Sequence, residues 1–290
     1  MSDLTERGEI QVLLRRHGLH LNKRLGQHFL ADVDVLEAMA DALDAGPGAQ
    51  IVEIGAGLGN LTQFLALRGA AVTALELDPR FTPIHRELML NRQPDEGPIE
   101  FQYLDALDFD YAAAMTMARA AGLRPLIAGN IPYQITSPLI MKILETGAEF
   151  ERMALMMQKE VADRLAAAPG SKRNGGISIK AQYFCDIVTV CNVPAASFVP
   201  PPEVNSAIVA FGRKPPLLNE TGRQRLFDIV DAAFAQRRKM LGNSIASQGI
   251  GLTKEQVDAA LAKIGKPPTT RAEQLGLEEF VALLSALGTL

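Results

Sequence analysis

A glycine-rich segment at residues 50–62 limits what this chain can fold into more than any other part of it. The apolar residues that open it predict a short buried strand. Gly55, Gly57 and Gly59 follow, and three such glycines allow a sharp backbone turn and close approach by another molecule. Asn60 then suits the N-cap of a helix. Strand, tight turn and helix together predict the first unit of a nucleotide-binding α/β sheet.

The spacing of the glycines limits which class of nucleotide-like ligand this turn can bind. Asn60 stands where the dinucleotide motif G-x-G-x-x-G requires its third glycine, and no Gly-Lys-Ser/Thr of a phosphate-binding loop occurs. A second predicted strand at residues 71–76 ends in Glu76, about 20 residues past the first glycine, where an acid can bind ribose hydroxyls. This arrangement resembles the S-adenosylmethionine (SAM) pocket of class I methyltransferases. The alternative is an ordinary turn between a strand and a helix.

Further apolar runs, separated by helical patterns, predict a parallel sheet. They lie at residues 99–104, 125–129 and 153–157, and two more strands are predicted at 177–190 and 204–211. Ligands of such sheets bind at the carboxyl ends of the strands. The predicted strand ends carry Gly55, Glu76, Asp105 and Asn130. The expected fold is therefore α/β, a Rossmann-like class I SAM-dependent methyltransferase sheet followed by a small C-terminal all-helical domain.

Three parts of the chain are predicted. They are an N-terminal helical and basic arm at 1–47, a catalytic α/β domain at 48–213 and a helical domain at 217–290. In the arm, residues 5–17 predict a helix and Asp32 is expected to cap the next one. In the helical domain, Thr253 with Gln256 and Thr270 with Glu273 have the spacing of capping boxes.

Composition bounds the remaining functions. The net charge of the 290 residues is −4 and gives no indication of nucleic acid, so any RNA-binding surface must come from local clusters of basic residues. Two such clusters occur, and we expect both to bind phosphates: Arg15, Arg16, Lys23 and Arg24, and Arg237, Arg238 and Lys239. The two cysteines suit a reducing cytoplasm, no metal-ligand spacing occurs, and no run is long enough to span a membrane. A single charge run is more often only a solvated helix end.

The segment Asn130-Ile131-Pro132-Tyr133 directly follows the fourth strand and suggests the chemistry. The exocyclic amine of adenine is a poor nucleophile, because its lone pair is delocalised into the ring. The Asn130 side-chain carbonyl and the Pro132 backbone carbonyl are predicted to accept its hydrogens. The Tyr133 ring offers a stacking surface, which contributes about 1–3 kcal/mol per base. The alternative is a proline turn with a packed tyrosine.

A second candidate lies in the rigid loop at residues 198–203, where three consecutive prolines hold an extended backbone. Such a loop can present Phe198 to a ligand on a stiff arm. It can equally be a surface connection in which Phe198 anchors the loop in the core. The sequence leaves both possibilities open.

Five motifs, in this order, resemble one family from Leu21 to the C-terminus. They are LGQHFL at 25–30, EIGAGLG at 53–59, GNIPY at 129–133, MQKEV at 157–161 and FVPPPEV at 198–204. The family is that of the bacterial small-subunit ribosomal RNA adenine-N6,N6-dimethyltransferases of the kasugamycin-sensitivity type. The chain departs from it at His28, where asparagine is frequent, and at Ile131, where leucine is common.

The resemblance implies SAM-dependent dimethylation of two adjacent adenosines near the 3′ end of 16S rRNA, late in assembly of the small (30S) subunit. The partner would be the 30S subunit or its precursor, bound by a cytoplasmic monomer whose helical domain at 217–290 recognises the substrate RNA. The implied cofactor contacts are His28, Leu30, Gly55, Gly57, Glu76, Asp105 and Asn130. The implied contacts with the target base are Asn130, Pro132, Tyr133 and Phe198.

Two other functions remain open at this point. One is that of the macrolide-resistance methyltransferases, which modify an adenine of 23S rRNA. The helical tail and the Gln-Lys-Glu-Val stretch favour the small-subunit enzyme. The other is a non-catalytic assembly factor that only clamps the pre-30S particle. Intact Glu76, Asn130, Pro132 and Tyr133 argue against loss of the chemistry.

Overall fold

The computed structural model of the protein describes residues 7–19 and 27–288, and the chain divides into two compact units. The first takes Met1–Ala162 and Val188–Arg213, so far as these residues are described. The second takes Asp163–Ile187 and Lys214–Leu290, within the same limits. This division differs from the predicted spans 48–213 and 217–290, because Asp163–Ile187 packs with the C-terminal helices.

Among the described residues, seven strands form the central sheet in the order β4-β3-β2-β5-β6-β9-β7. Their bounds are β2 Ala49–Ile54, β3 Ala71–Glu76, β4 Ile99–Tyr103, β5 Arg124–Asn130, β6 Arg152–Gln158, β7 Cys185–Val193 and β9 Ser206–Arg213. The run β4-β3-β2-β5-β6 is parallel, whereas β9 pairs antiparallel with β6. The predicted α/β fold is confirmed, and the carboxyl ends of β2, β3, β4 and β5 meet at one edge of the sheet.

The helices of the first unit cover the sheet. They are α1 Arg7–Arg16, α2 Val33–Leu43, α3 Asn60–Leu67, α4 Thr82–Leu90, α5 Tyr111–Ala120 and α6 Thr136–Glu145. Among the described residues, their apolar faces pack with the strands in buried clusters, one of which contains α2 with β2, β5 and β6. Helix α7, Lys159–Leu165, begins in the first unit and ends in the second.

Two helix N-caps of the first unit differ in detail from the sequence prediction. The N-cap of α3 is Gly59 with φ 88°, not Asn60, which is the first helical residue. The Asn60 side chain instead donates from Nδ2 to the Leu30 carbonyl. Asp32 is the N-cap of α2 but makes no side-chain capping bond, because its carboxylate accepts a hydrogen bond from Ser197 Oγ.

A separate pair of two-residue strands lies beside the main sheet. Strand β1, Phe29–Leu30, pairs antiparallel with β8, Phe198–Val199. In this register Leu30 is opposite Phe198 and Phe29 is opposite Val199. The pairing thereby fixes the segment 28–30 at the edge of the sheet where the strand ends meet. We call residues 28–30 the N-terminal segment. Two residues are too few for any periodicity, which is why the sequence did not indicate this strand.

The second unit is largely helical. Its helices are α8 Gly176–Phe184, α9 Glu220–Phe234, α10 Leu241–Ala246, α11 Lys254–Lys263 and α12 Leu277–Ala286. The strand predicted at 177–190 is wrong in its first half, which is helix α8. The Thr253–Gln256 capping box is present, whereas the Thr270–Glu273 box is not, because the buried Thr270 hydroxyl donates to the Pro267 carbonyl.

Within the described residues, no helix combines the length and the apolar character needed to cross a membrane.

Candidate active site

A cavity lies at the carboxyl ends of β2, β3 and β5 in the first unit. Eight of the predicted site residues line it: His28, Leu30, Gly55, Gly57, Glu76, Asp105, Asn130 and Pro132. Tyr133 and Phe198 are not part of the lining. The topology therefore brings together residues up to 104 positions apart in the chain, as the placement of the strand ends predicts.

The glycine turn forms one wall of this cavity. Gly55, Gly57 and Gly59 all have positive φ, a backbone conformation that side chains disfavour. A Cβ on Gly55 would lie 3.3 Å from the Asn130 carbonyl oxygen, and one on Gly57 would lie 3.2 Å from the Phe29 ring. The absence of a side chain at Gly57 thus makes room first for Phe29, whereas the sequence suggested that it makes room for the ligand.

Glu76 holds the turn in place. Its Oε2 accepts a hydrogen bond of 2.7 Å from the Gly57 N–H, and its Oε1 accepts one of 2.8 Å from the Asp78 N–H. Burial raises the pKa of this carboxyl, and the two backbone bonds oppose the rise. Each oxygen retains a further acceptor position, so Glu76 can bind hydroxyl groups in the cavity while it supports the turn.

His85 is a buried residue of the site that the sequence did not reveal. Its Nε2 lies 2.8 Å from the Gly57 carbonyl oxygen, and its Nδ1 lies 2.8 Å from the Tyr103 hydroxyl. A carbonyl only accepts, so Nε2 carries the proton and Nδ1 accepts from Tyr103. The imidazole also stacks on Phe101 at 3.9 Å between centroids. His85 therefore supports the glycine turn from behind.

The burial of His85 predicts a pH-dependent stability. Burial lowers the pKa of His85 to about 4, well below the ordinary value of 6.5. Between these values the unfolded chain binds a proton that the folded protein excludes, so folding stability falls as the pH drops from about 6.5 to 4. We expect the free energy of unfolding to lose about 2.5 kcal/mol more in the wild type than in His85→Gln between pH 7.5 and 4.5.

Urea unfolding of both proteins across this pH range measures that difference. Other groups titrate equally in the two proteins, so the comparison isolates His85. If the plots of unfolding free energy against pH stay parallel for the two proteins, the folded protein accepts a proton on the imidazole as readily as the unfolded chain does.

Glu53 is a second buried acid of the cavity wall. It is 1% exposed, and its Oε2 accepts a hydrogen bond of 2.5 Å from the Thr62 hydroxyl. Burial raises the pKa of Glu53 to about 8, so the side chain is a neutral carboxylic acid at pH 7. The cavity wall consequently holds no carboxylate charge at Glu53.

Hydrogen bonds from and to side chains fix the loop that carries Asp105. Asp105 Oδ1 accepts from the Leu107 N–H at 2.8 Å. The buried Tyr111 hydroxyl donates to the Ala106 carbonyl at 3.0 Å, and Lys142 Nζ donates to the Leu107 carbonyl. These contacts leave Asp105 Oδ2 available for a donor in the cavity.

The orientation of the Asn130 amide follows from one hydrogen bond. Its Nδ2 donates to the His28 carbonyl oxygen at 3.1 Å. A carbonyl cannot donate, so the amide nitrogen must lie on this side and Oδ1 on the other. The N-terminal segment therefore fixes Asn130 as an acceptor for a group brought to the cavity.

The Pro132 backbone carbonyl, which the sequence predicted as an acceptor for the adenine amine, is already hydrogen-bonded within the protein. The Pro132 carbonyl accepts from the Ile135 N–H at 3.1 Å and from the Thr136 hydroxyl at 3.3 Å. Both acceptor positions are taken, so the structure does not support this carbonyl as a partner of an amine. No hydrogen bond to the carbonyl of the preceding residue, Ile131, occurs among the described residues.

The rings of Tyr133 and His28 are stacked, with centroids 6.2 Å apart and planes 22° from parallel. The Tyr133 hydroxyl shares a hydrogen bond of 3.0 Å with Ser206 Oγ, and His28 Nδ1 donates to the Pro200 carbonyl at 2.8 Å. Both rings are half-buried. They thus remain partly open to a planar ligand beside Asn130.

Phe198 has the core position that the sequence left open. Its side chain is 1% exposed and belongs to the buried cluster around α2. It lies opposite Leu30 in the β1–β8 pair, so it holds a residue of the cavity wall. The structure does not support the predicted contact of Phe198 with the target base.

The predicted basic clusters have different surroundings. Arg16 and His17 both contact the Glu87 carboxylate, at 2.8 and 2.9 Å, and Arg15 donates to the Gln11 carbonyl. Lys23 and Arg24 lie outside the described residues. In the second unit Arg237, Arg238 and Lys239 follow α9 and are exposed.

Sequence comparison gives the same family over almost the whole chain. A model of the ribosomal RNA adenine dimethylase family matches residues 18–284. Proteins from Bacillus cereus and Bacillus anthracis are 37% identical to this chain, and both are named ribosomal RNA small subunit methyltransferase A. The alignments cover 99% of this chain and 98% of each relative.

Solved structures show the same fold. A dimethyladenosine transferase from Plasmodium falciparum aligns with a TM-score of 0.73 at 24% identity, over 88% of this chain and 96% of that one. The 23S rRNA methyltransferase ErmE aligns with a TM-score of 0.68 at 24% identity, over 90% of this chain and 99% of that one.

Proposed function

The chain belongs to the ribosomal RNA adenine dimethylase family, and on this premise we propose that it dimethylates N6 of two adjacent adenosines near the 3′ end of 16S rRNA. The observation that carries the proposal is the Asn130 amide, fixed by the His28 carbonyl at the end of β5 with Oδ1 left to accept. Full-length similarity to proteins named small subunit methyltransferase A favours the small subunit over 23S rRNA.

The cavity fits S-adenosyl-L-methionine, the cofactor of this family. Its acceptors are spaced along neighbouring strand ends, and apolar residues such as Leu30 and Leu104 lie between them. Glu76 suits the ribose hydroxyls, Asp105 Oδ2 suits the adenine amine, and Gly55 leaves space that a Cβ would fill. When bound, SAM supplies an electrophilic methyl group on a sulfonium.

The residues of this chain orient the nucleophile. Asn130 Oδ1 and the Ile131 carbonyl accept the two hydrogens of the adenine amine, which favours the pyramidal nitrogen with a localised lone pair. Tyr133 supports the base by stacking, and the adjacent His28 carbonyl keeps the Asn130 amide from turning. Alignment and electrostatics of this kind can supply the rate without a covalent intermediate.

Glu76 provides a test of the cofactor site. We expect Glu76→Ala to weaken SAM binding about tenfold or more, because hydrogen bonds to a charged acceptor contribute about 1.5–3 kcal/mol. The variant also removes the acceptors of the Gly57 and Asp78 N–H groups, so some stability is lost with it. Titration calorimetry with SAM measures the affinity.

The exposed acid Glu100 on β4 is the matched control for that experiment. Glu100→Ala should bind SAM as the wild type does. An unchanged dissociation constant for Glu76→Ala would remove Glu76 from the site.

The partner is the 30S subunit or its precursor, late in assembly, and the protein acts as a cytoplasmic monomer. Two observations support an RNA partner. The family acts on ribosomal RNA, and the second unit carries exposed basic residues at Arg237, Arg238 and Lys239. The overall charge of −4 confines phosphate binding to such clusters.

Methyl transfer from labelled SAM to 30S particles that lack the modification tests the function. Nucleoside analysis should give N6,N6-dimethyladenosine, and primer extension should place it at two adjacent positions near the 3′ end of 16S rRNA. Particles that already carry the modification are the control and should take up no label. Label in 23S rRNA would support the macrolide-resistance function instead, and binding without any transfer would support an assembly factor.

A further inference from the structure

A loop of the second unit lies against the residues that follow α9. The loop comprises residues 169–175 and precedes α8. Arg237 Nη2 donates a hydrogen bond of 2.6 Å to the Lys172 carbonyl and lies 3.4 Å from the Asn174 carbonyl. One guanidinium thus joins two segments that are 65 residues apart in the chain.

The loop is also fixed from its inner side. Asn174 is 1% exposed, and its Nδ2 donates to the carbonyls of Glu273 and Leu275 at 3.0 and 2.9 Å. The Gly170 N–H donates to the Glu273 carbonyl at 2.8 Å. These bonds hold the backbone, while the side chains of Lys172 and Arg173 are exposed.

Most of the basic residues in this region form no ion pair with a described residue. Lys172, Arg238 and Lys239 form no ion pair with any described residue, whereas Arg173 contacts Asp163 at 2.7 Å. The nearby Asp231 carboxylate is bound by Lys180 at 2.7 Å. We call this region the loop surface; its members are Lys172, Arg173, Arg237, Arg238 and Lys239. Unpaired cations held together in this way favour a polyanion.

We infer that Lys172 and Arg173 bind phosphates of the substrate RNA together with Arg238 and Lys239, and that Arg237 is a positioning residue for the loop. The inference rests on the proposed function, which supplies a ribosomal RNA as the polyanion. It differs from the sequence prediction, which treated Arg237, Arg238 and Lys239 alike and did not include the loop. The Arg237 contact with Lys172 assigns different roles to them.

The loop is tested by the double variant Lys172→Ala/Arg173→Ala. Each phosphate contact contributes about 0.7–0.9 to the slope of log affinity against log salt, so losing two contacts should reduce the slope by about 1.4–1.8. Affinity for 30S particles at low salt should fall with it, and SAM affinity should not change. The control Lys263→Ala/Arg271→Ala removes the same charge from exposed positions of the same unit and should leave the slope unchanged.

The positioning role of Arg237 is tested by Arg237→Lys, which keeps the charge but loses the planar donor. Hydrogen exchange at the amides of Gly170, Ser171 and Asn174 should become faster than in the wild type. Arg238 forms no hydrogen bond or ion pair with the described residues of the loop, so Arg238→Lys should leave this exchange unchanged. Equal protection in Arg237→Lys and the wild type would overturn the positioning role.

The salt series separates failure of the inference from failure of the function. Suppose that the plot of log affinity against log salt is that of the wild type for Lys172→Ala/Arg173→Ala but flatter for Arg238→Ala/Lys239→Ala. The loop then binds no RNA, and the proposed function stands. If wild-type protein neither binds nor methylates unmodified 30S particles, the proposed function fails and the inference fails with it.

Discussion

Replacing Asn130 with alanine is expected to slow methyl transfer by about 100- to 1,000-fold, the usual effect of removing one polar group that acts on the reacting centre. Affinity for 30S particles should stay close to that of the wild type, because phosphate contacts supply most of the binding to nucleic acid. The expected loss follows from the proposed role of Oδ1 as acceptor for the adenine amine, because the bond from Nδ2 to the His28 carbonyl fixes the orientation of the amide.

Single-turnover transfer from labelled SAM measures this rate without contributions from product release. Gln134, exposed and four residues further along the same segment, provides the control, and Gln134→Ala should react as the wild type does. Transfer by Asn130→Ala at the wild-type rate would show that the amide does not polarise the amine.

Much of the site could be predicted because it depends on strand ends. A buried apolar run followed by a polar residue marks the end of a parallel strand, and all such ends meet at one edge of the sheet. Gly55, Glu76, Asp105 and Asn130 needed only that argument, and all four line the cavity. Nothing about their distances had to be known.

The supporting residues could not be predicted in this way. His85 lies on the buried face of α4, where it resembles any core position, and its partners Gly57, Phe101 and Tyr103 belong to other elements. The pairing of Leu30 with Phe198 spans most of the first unit and involves strands of two residues. Contacts of this kind depend on tertiary packing, which a local pattern does not contain.

The same limit explains the errors. Residues 177–184 have the apolar content of a strand, but the packing of the Tyr183 and Phe184 rings against Phe227 of α9 favours a helix. The Pro132 carbonyl was predicted to be free because the sequence did not show that a helix begins at Thr136. Local propensity is overridden in both places by the packing of the next element.

Substitution of Gly57 by valine is expected to lower SAM affinity by about 100-fold or more, equivalent to about 2.7 kcal/mol. Two effects combine in this variant. Gly57 has φ 57°, a left-handed conformation that costs a residue with a side chain roughly 1–2 kcal/mol. The new Cβ would also lie 3.2 Å from Cδ1 and Cε1 of Phe29. Phe29 must move, and His28 and Leu30 in the cavity wall move with it.

Gly122 separates these two effects, because it has φ 74° and no atom lies within 4 Å of its ideal Cβ position. Gly122→Val should therefore lose stability through the backbone alone and keep the SAM affinity of the wild type. Thermal unfolding would confirm that both variants are folded, and calorimetry would then give their affinities for SAM. If folded Gly57→Val binds SAM as tightly as Gly122→Val, the turn can accept a side chain, and the contact between Gly57 and Phe29 does not shape the cofactor site.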